Sequence, residues 1–362
     1  MKKHYLIVTL LLLSVFTVFL SCGSDESEDY KEISPVVLDL TAVPYPKLSD
    51  YKFFEGEMKN LKPAYKVLPY DLNSSLFTDY ALKKRFVWMP EGAQATYSSD
   101  GEVLNFPTGA VLIKNFYYDN VLPDNVTKII ETRIMIKKAD GWIFANYKWN
   151  DEQTEAFLDM NGSNMNISWM QGNTTMYATY NIPDGEKCLR CHNINGTAVP
   201  IGTKPQNLNK KYTYDDSSIN QLEKWKKEGY ISNLIPSAIT STVNWEDTSL
   251  SLDLRVRSYL DINCAHCHSP EGDANEMPLY LAFTATTNPI NMGVCLPVHE
   301  PAPEGQNYVV SAQNIYDSLL YYRMTNTRNK SDMMPPVGRS LSHIEATDMV
   351  AEWINAMPSP CP

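Results

Sequence analysis

The chain has 362 residues, room for two domains and perhaps a third. With 43 % hydrophobic and 20 % charged residues it can bury real cores, and it is neither a disordered chain nor a multi-span membrane protein. Its 31 Lys+Arg against 42 Asp+Glu, a net charge of −11, exclude a general nucleic-acid binder, and seven cysteines are too few for a disulfide-stapled small fold.

Lys2 and Lys3 precede a nearly continuous apolar run from Tyr5 to Leu20. A charged start, a short apolar stretch and a small residue at the cut read as a signal peptide over residues 1–21. The run is shorter than the ~20 residues a spanning helix needs. Leu20-Ser21-Cys22 resembles the lipobox of bacterial lipoproteins, which implies that Cys22 is acylated and becomes the first residue. Residues 22–45 begin with an acidic tract, Asp25-Glu26-Ser27-Glu28-Asp29, and read as a tether. Without residues 1–21 the balance is 29 basic against 42 acidic residues, or −13. The expected place is the cell envelope, on the outer membrane, with the lipid anchor as the sole membrane contact. The charge points to a docking partner with a basic face.

Residues 46–249 read as an antiparallel β-rich domain. Ile130, Thr132, Ile134 and Ile136 alternate with Glu131, Arg133, Met135 and Lys137, the pattern of a half-buried strand. Asp140-Gly141 predicts a hairpin into Trp142–Trp149, and Asp100-Gly101 predicts another between Thr96–Ser98 and Val103–Phe106. Val111–Tyr118 is a further strand. No internal repeat relates the two halves of the chain.

Four cysteines fall in two C-x-x-C-H motifs, Cys188-Leu189-Arg190-Cys191-His192 and Cys264-Ala265-His266-Cys267-His268. Two thiols three apart on one helical turn can add across the two vinyl groups of haem, and the next residue then projects an imidazole at the iron. At this composition one such motif arises by chance in on the order of one chain in several hundred, so two are no accident. Zinc would need a fourth ligand and a reduced compartment, and neither is evident. A thioredoxin-like C-x-x-C would follow a βαβ pattern, which is absent. The expectation is two covalent haems c on Cys188, Cys191, Cys264 and Cys267, with His192 and His268 as iron ligands.

From about Leu250 the pattern turns helical. Leu252, Val256, Tyr259 and Leu260 lead into Cys264. Asn314 can cap a helix with Ile315, Leu319 and Tyr322 on one face. Ser342 and Glu345 form a capping-box pattern before Ala346, Val350, Trp353 and Met357. The order helix, C-x-x-C-H, helix, Met-Pro, helix resembles class I cytochrome c over residues 250–362. That resemblance implies an all-α domain in which a Met before Pro is the sixth ligand, here Met334 with Met333 as the fallback. His/Met ligation raises the reduction potential. Cys295 and Cys361 remain, and an oxidising compartment would join them in a disulfide.

For the first haem the sixth ligand stays open among Met160, Met165, Met170, Met176, His266, His299 and His343. The mature chain as a whole resembles a family of bacterial dihaem c-type cytochromes without an assigned physiological role. The resemblance rests on stretches such as Pro69-Tyr70-Asp71-Leu72-Asn73, Ile130-Glu131-Thr132-Arg133, Asn207-Leu208-Asn209 and Leu260 to His268. It implies two haems and electron transfer, and no substrate. Taken together the fold class is α+β, a β-rich domain followed by an all-α domain. The function is an electron carrier with an unidentified redox partner. The alternatives are a dihaem peroxidase with an open first haem, or a redox-linked binding protein whose β domain carries the recognition face.

Overall fold

Val111, Ile113 and Asn115 alternate with Leu112, Lys114 and Phe116, and such a run is stable inside a protein only if both faces are covered. The computed structural model describes residues 32–215, 217–299 and 302–362, and in it both faces are covered. Besides three small two-stranded sheets, the principal strands are β1 (Leu68–Tyr70), β2 (Leu82–Trp88), β3 (Val111–Val121), β4 (Val126–Lys138), β5 (Gly141–Trp149), β6 (Ala156–Leu158), β7 (Ser163–Gln171) and β8 (Thr174–Ile182). They form one antiparallel eight-stranded sheet in the order β8-β7-β3-β4-β5-β6, with β1 on β2 and β2 on β3.

Val111, Ile113, Ile134 and Ile136 pack on one face against Leu48, Tyr51 and Phe53. Leu112 and Met135 pack on the other against Leu222 and Trp225. The alternation in β4 therefore does not mark a solvent face: Glu131 is 0 % and Met135 8 % exposed. The predicted β4–β5 hairpin forms, but Ala139 and Asp140 are its loop. Gly141 is the first strand residue, opposite Lys138, at φ +143 where a side chain would be strained. The second predicted hairpin does not form. Asp100-Gly101 is bridged only by Thr96 and Asn105.

Six α-helices stand among the described residues: α1 (Gly185–Cys191), α2 (Pro205–Leu208), α3 (Gln221–Lys227), α4 (Leu252–Asn263), α5 (Leu319–Thr325) and α6 (Ile344–Asn355). The expected fold class, a β-rich domain followed by an all-α class I cytochrome c domain, is overturned. The described residues are mostly antiparallel sheet, and helices are few and short. Among the described residues between Cys264 and Leu319 no α-helix forms. Pro270, Pro278, Pro289, Pro297 and Pro303 lack the N–H a helix needs, and turns and isolated bridges such as Val294–Val310 close the segment instead.

Residues 35–362 form one compact unit. Asp79, at a loop before β2, accepts hydrogen bonds from the main-chain N–H of Ser340 (2.7 Å) and Leu341 (2.8 Å) and from the Ser340 hydroxyl (2.9 Å). The α4 and α6 helices bury Val256, Leu260, Val350 and Trp353 in one cluster. Ser251 caps α4 by accepting from the Leu254 N–H. The predicted capping box of α6 is not made: Ser342 donates to the Met324 carbonyl, and Glu345 accepts from the Tyr80 hydroxyl at 2.9 Å. Asn314 does cap, but over a 3₁₀ turn, Ile315–Asp317, that precedes α5. No helix among the described residues is long and apolar enough to cross a membrane. The signal peptide and Cys22 lie outside the described residues.

Candidate functional site

Both C-x-x-C-H motifs close one turn with the same hydrogen bond, the first at the end of α1 and the second in the turn that follows α4. In the first, Asp184 accepts from the Lys187 N–H to start α1, and the His192 N–H donates to the Cys188 carbonyl at 2.9 Å. In the second, which follows directly on α4, the His268 N–H donates to the Cys264 carbonyl, also at 2.9 Å. One turn thus holds two thiols and an imidazole on each motif. His192 Nδ1 lies 2.8 Å from the Val199 carbonyl, which can only accept, so Nδ1 carries the proton and Nε2 keeps its lone pair. Burial, with Lys114, His266 and Arg133 nearby, pushes the pKa of His192 down to about 3 despite that bond. Burial likewise takes His268 down to about 4, and its buried Nδ1 has no partner.

The motifs touch each other. Cys191, Cys267 and His266 offer ligand atoms that all lie within 4.8 Å of one another, and the Cys267 thiol donates to the Arg190 carbonyl at 3.5 Å. The two thiols act as one coupled pair, in which contact with Cys267 and His266 lowers the Cys191 pKa and contact with Cys191 raises that of Cys267. Asn195, just past the first motif, donates its N–H to the carbonyl of Glu271, just past the second.

Cys264 and His268 open on a cavity of about 220 Å³, walled mostly by apolar side chains including Leu279, Leu281 and Val309. Met334 lines this cavity, whereas Met333 is 3 % exposed and does not line it. Arg339 secures the Met334 loop. Its Nη2 donates to the carbonyls of Met334 (2.7 Å), Arg323 (2.9 Å) and Asn326 (3.2 Å), and its Nη1 to that of Leu341 (3.0 Å). His343 lines the same cavity, stacked on Phe77 and bonded through Nδ1 to the Tyr259 hydroxyl at 3.1 Å.

Cys188 and His192 open on two adjoining hollows of about 80 and 60 Å³ over the β3–β5 floor. Phe77, Asn263, Pro335 and Arg339 border both this site and the Met334 cavity, so one wall separates the two. Of the residues considered for a sixth ligand here, only His266 lines the hollows. His266 stands beside Cys191 and Cys267, with its ligand atom within 4.8 Å of both thiols. Met165 and Met176 pack beside Tyr180, the Met170 sulfur accepts from Thr175, Met160 stands near Gly185, and His299 is exposed. Lys114, Arg133 and Met135 line the hollows, whereas the sequence presents Arg133 and Met135 only as strand residues and Lys114 only within the strand Val111–Tyr118. The missing signal was strand register, which a single strand's alternation does not carry.

Cys295 and Cys361 are bonded, S–S 2.09 Å, across a separation of 66 residues. The other cysteines of the described residues, Cys188, Cys191, Cys264 and Cys267, are unpaired. At the second motif two thiols on one turn, an imidazole and a mainly apolar cavity with the Met334 thioether in its wall form a donor set that fits a covalent haem, and the first motif offers two thiols and an imidazole with a free Nε2. No family model matches this chain, and no curated protein or solved structure is similar to it.

Proposed function

We propose that the protein is an envelope dihaem c-type cytochrome that carries electrons to or from a partner protein. Cys188 and Cys191 would hold one haem and Cys264 and Cys267 the other, with His192 and His268 as nitrogen donors to the iron and Met334 as a thioether donor that would join His268. Bound there, haem supplies one-electron Fe(III)/Fe(II) chemistry. The observation that carries the reading is the shared turn: two C-x-x-C-H motifs in one chain, each with its His N–H on the first Cys carbonyl at 2.9 Å.

The residues around each motif do three things. The Val199 carbonyl fixes the ring of His192 and its tautomer. Apolar side chains such as Leu279 and Val309 keep water from the Met334 cavity. Arg339 holds the Met334 carbonyl, and so the position of the thioether. The contact of Cys191 with Cys267 puts the two attachment motifs side by side, which supports electron exchange between whatever redox groups they would hold. The lipid anchor at Cys22 would tether the chain to the outer membrane. The mature charge of −13 favours a partner with a basic face.

One observation favours the peroxidase-type reading as second choice: none of Met160, Met165, Met170 and Met176 lines the hollows beside His192. An EPR spectrum of the oxidised holoprotein separates the two. Two low-spin signals and no reaction with peroxide fit a carrier. One high-spin signal with rapid peroxide turnover would replace the carrier by an enzyme. An absence of haem signals would remove both.

A further inference from the structure

The floor under the first motif carries an unusual row of charge. Arg85 on β2 lies opposite Lys114 on β3, Lys114 opposite Arg133 on β4, and Arg133 opposite Asn146 on β5. Three cations side by side across three strands repel one another, and like charges directly opposite destabilise a sheet. Two of the three have their own carboxylate. Arg85 pairs with Asp71 at 2.8 Å. Glu131, wholly buried, takes Arg133 Nε at 3.0 Å and Nη2 at 2.5 Å, and also accepts from the Tyr180 hydroxyl at 2.6 Å.

Among the described residues Lys114 has no such partner. Its contact is the ring of Phe116, 4.9 Å from Nζ, over which Arg133 also stands at 4.4 Å. Asn146, the next residue of the row, donates to the Pro183 carbonyl at 2.8 Å and reaches Cys188 Sγ at 3.8 Å, so α1 is seated on this row. Lys114 and Arg133 line both hollows that Cys188 and His192 open on. Half-buried and crowded by Arg85 and Arg133, the Lys114 amine is driven towards its neutral form, and it keeps its charge there only when an anion joins it.

The geometry points to Lys114, with Arg133 beside it, as the receptor for a carboxylate of the haem held by Cys188 and Cys191. The inference rests on the haem reading of that motif. A haem carries two propionate carboxylates, and one of them supplies the charge that the row lacks. Lys114 is then a positioning residue that also sets the potential of this haem, because a fixed cation favours the more negative Fe(II) state.

The test uses the full-length holoprotein and its Lys114→Gln and Lys114→Arg variants, each checked by intact mass for two attached haems. Optical potentiometry should show one haem shifted to lower potential in Lys114→Gln, the other unchanged, and both near wild type in Lys114→Arg. EPR should keep the same axial ligation in all three. An unchanged potential in Lys114→Gln overturns the inference. So does a new high-spin signal in Lys114→Arg, because arginine preserves charge but cannot ligate, and the amine would then be the sixth ligand. If the variants fail to mature, the wild-type resonance Raman spectrum decides. A propionate bending band displaced by strong hydrogen bonding is expected, and only solvent-like bands would overturn it. A wild-type protein without haem would instead remove the underlying haem reading.

Discussion

Replacing Arg339 by leucine tests how the Met334 loop is held. Arg339 is 8 % exposed, and its guanidinium serves four main-chain carbonyls, those of Leu341, Arg323, Asn326 and Met334. Hydrogen bonds from a charged group net about 1.5–3 kcal/mol each. Two terms reduce that sum. The Nη2 protons are shared among three acceptors, and burial works against the cation, lowering its pKa. The net loss for Arg339→Leu is then about 3–5 kcal/mol, the range for removing one member of a buried charged network. Arg339→Lys should lie between, since an ammonium cannot serve both ends of the loop at once. Urea unfolding followed by tryptophan fluorescence gives the stability, and the absorption spectrum of the oxidised holoprotein reports thioether ligation. A leucine variant within about 0.5 kcal/mol of wild type, the range of an ordinary surface change, with ligation intact, would refute the clamp.

The remaining outcomes are as direct. Cys361→Ala opens a bridge spanning 66 residues and should cost about 4 kcal/mol in unfolding experiments, with added reductant reproducing the loss in wild type. An unchanged midpoint would show that the bridge contributes nothing. His343 is held neutral by burial, its pKa down at about 4 from 6.5. The unfolded chain therefore binds more protons over that interval. Stability is fully present above pH 6.5 and falls as pH drops toward 4, by up to about 3 kcal/mol. His343→Phe should flatten the stability–pH curve across that window, and an undiminished slope would exclude this residue as its source.

Elements whose evidence is local were legible. The α4 helix follows from Leu252, Val256, Tyr259 and Leu260 at helical spacing, and β4–β5 from alternation around Asp140-Gly141. The β7–β8 hairpin has a comparable signal, Gly172-Asn173 between alternating runs, and was not singled out. What was misjudged depends on partners distant in sequence. Glu131 and Arg133 read as a solvent face because one strand does not reveal its neighbours. Paired with Lys114 and covered by α1, the same alternation is a buried charged floor. The capping box at Ser342 failed because Glu345 found Tyr80, which is 265 residues away. The helical order of residues 250–362 suggested a separate all-α domain. The prolines after Cys264 and the Asp79 contacts to Ser340 and Leu341 instead bind that stretch to the sheet. The two C-x-x-C-H motifs are legible because each occupies five consecutive residues, and their attachment of haem is the proposal under test.

Intact-mass spectrometry of the protein matured in a bacterial envelope tests the central claim most directly. The wild type should carry two haems that survive acid denaturation, and Cys188→Ala/Cys191→Ala and Cys264→Ala/Cys267→Ala should each carry one. A chain of unmodified mass, or one that holds only a metal ion removable by chelator at Cys191, His266 and Cys267, would contradict it.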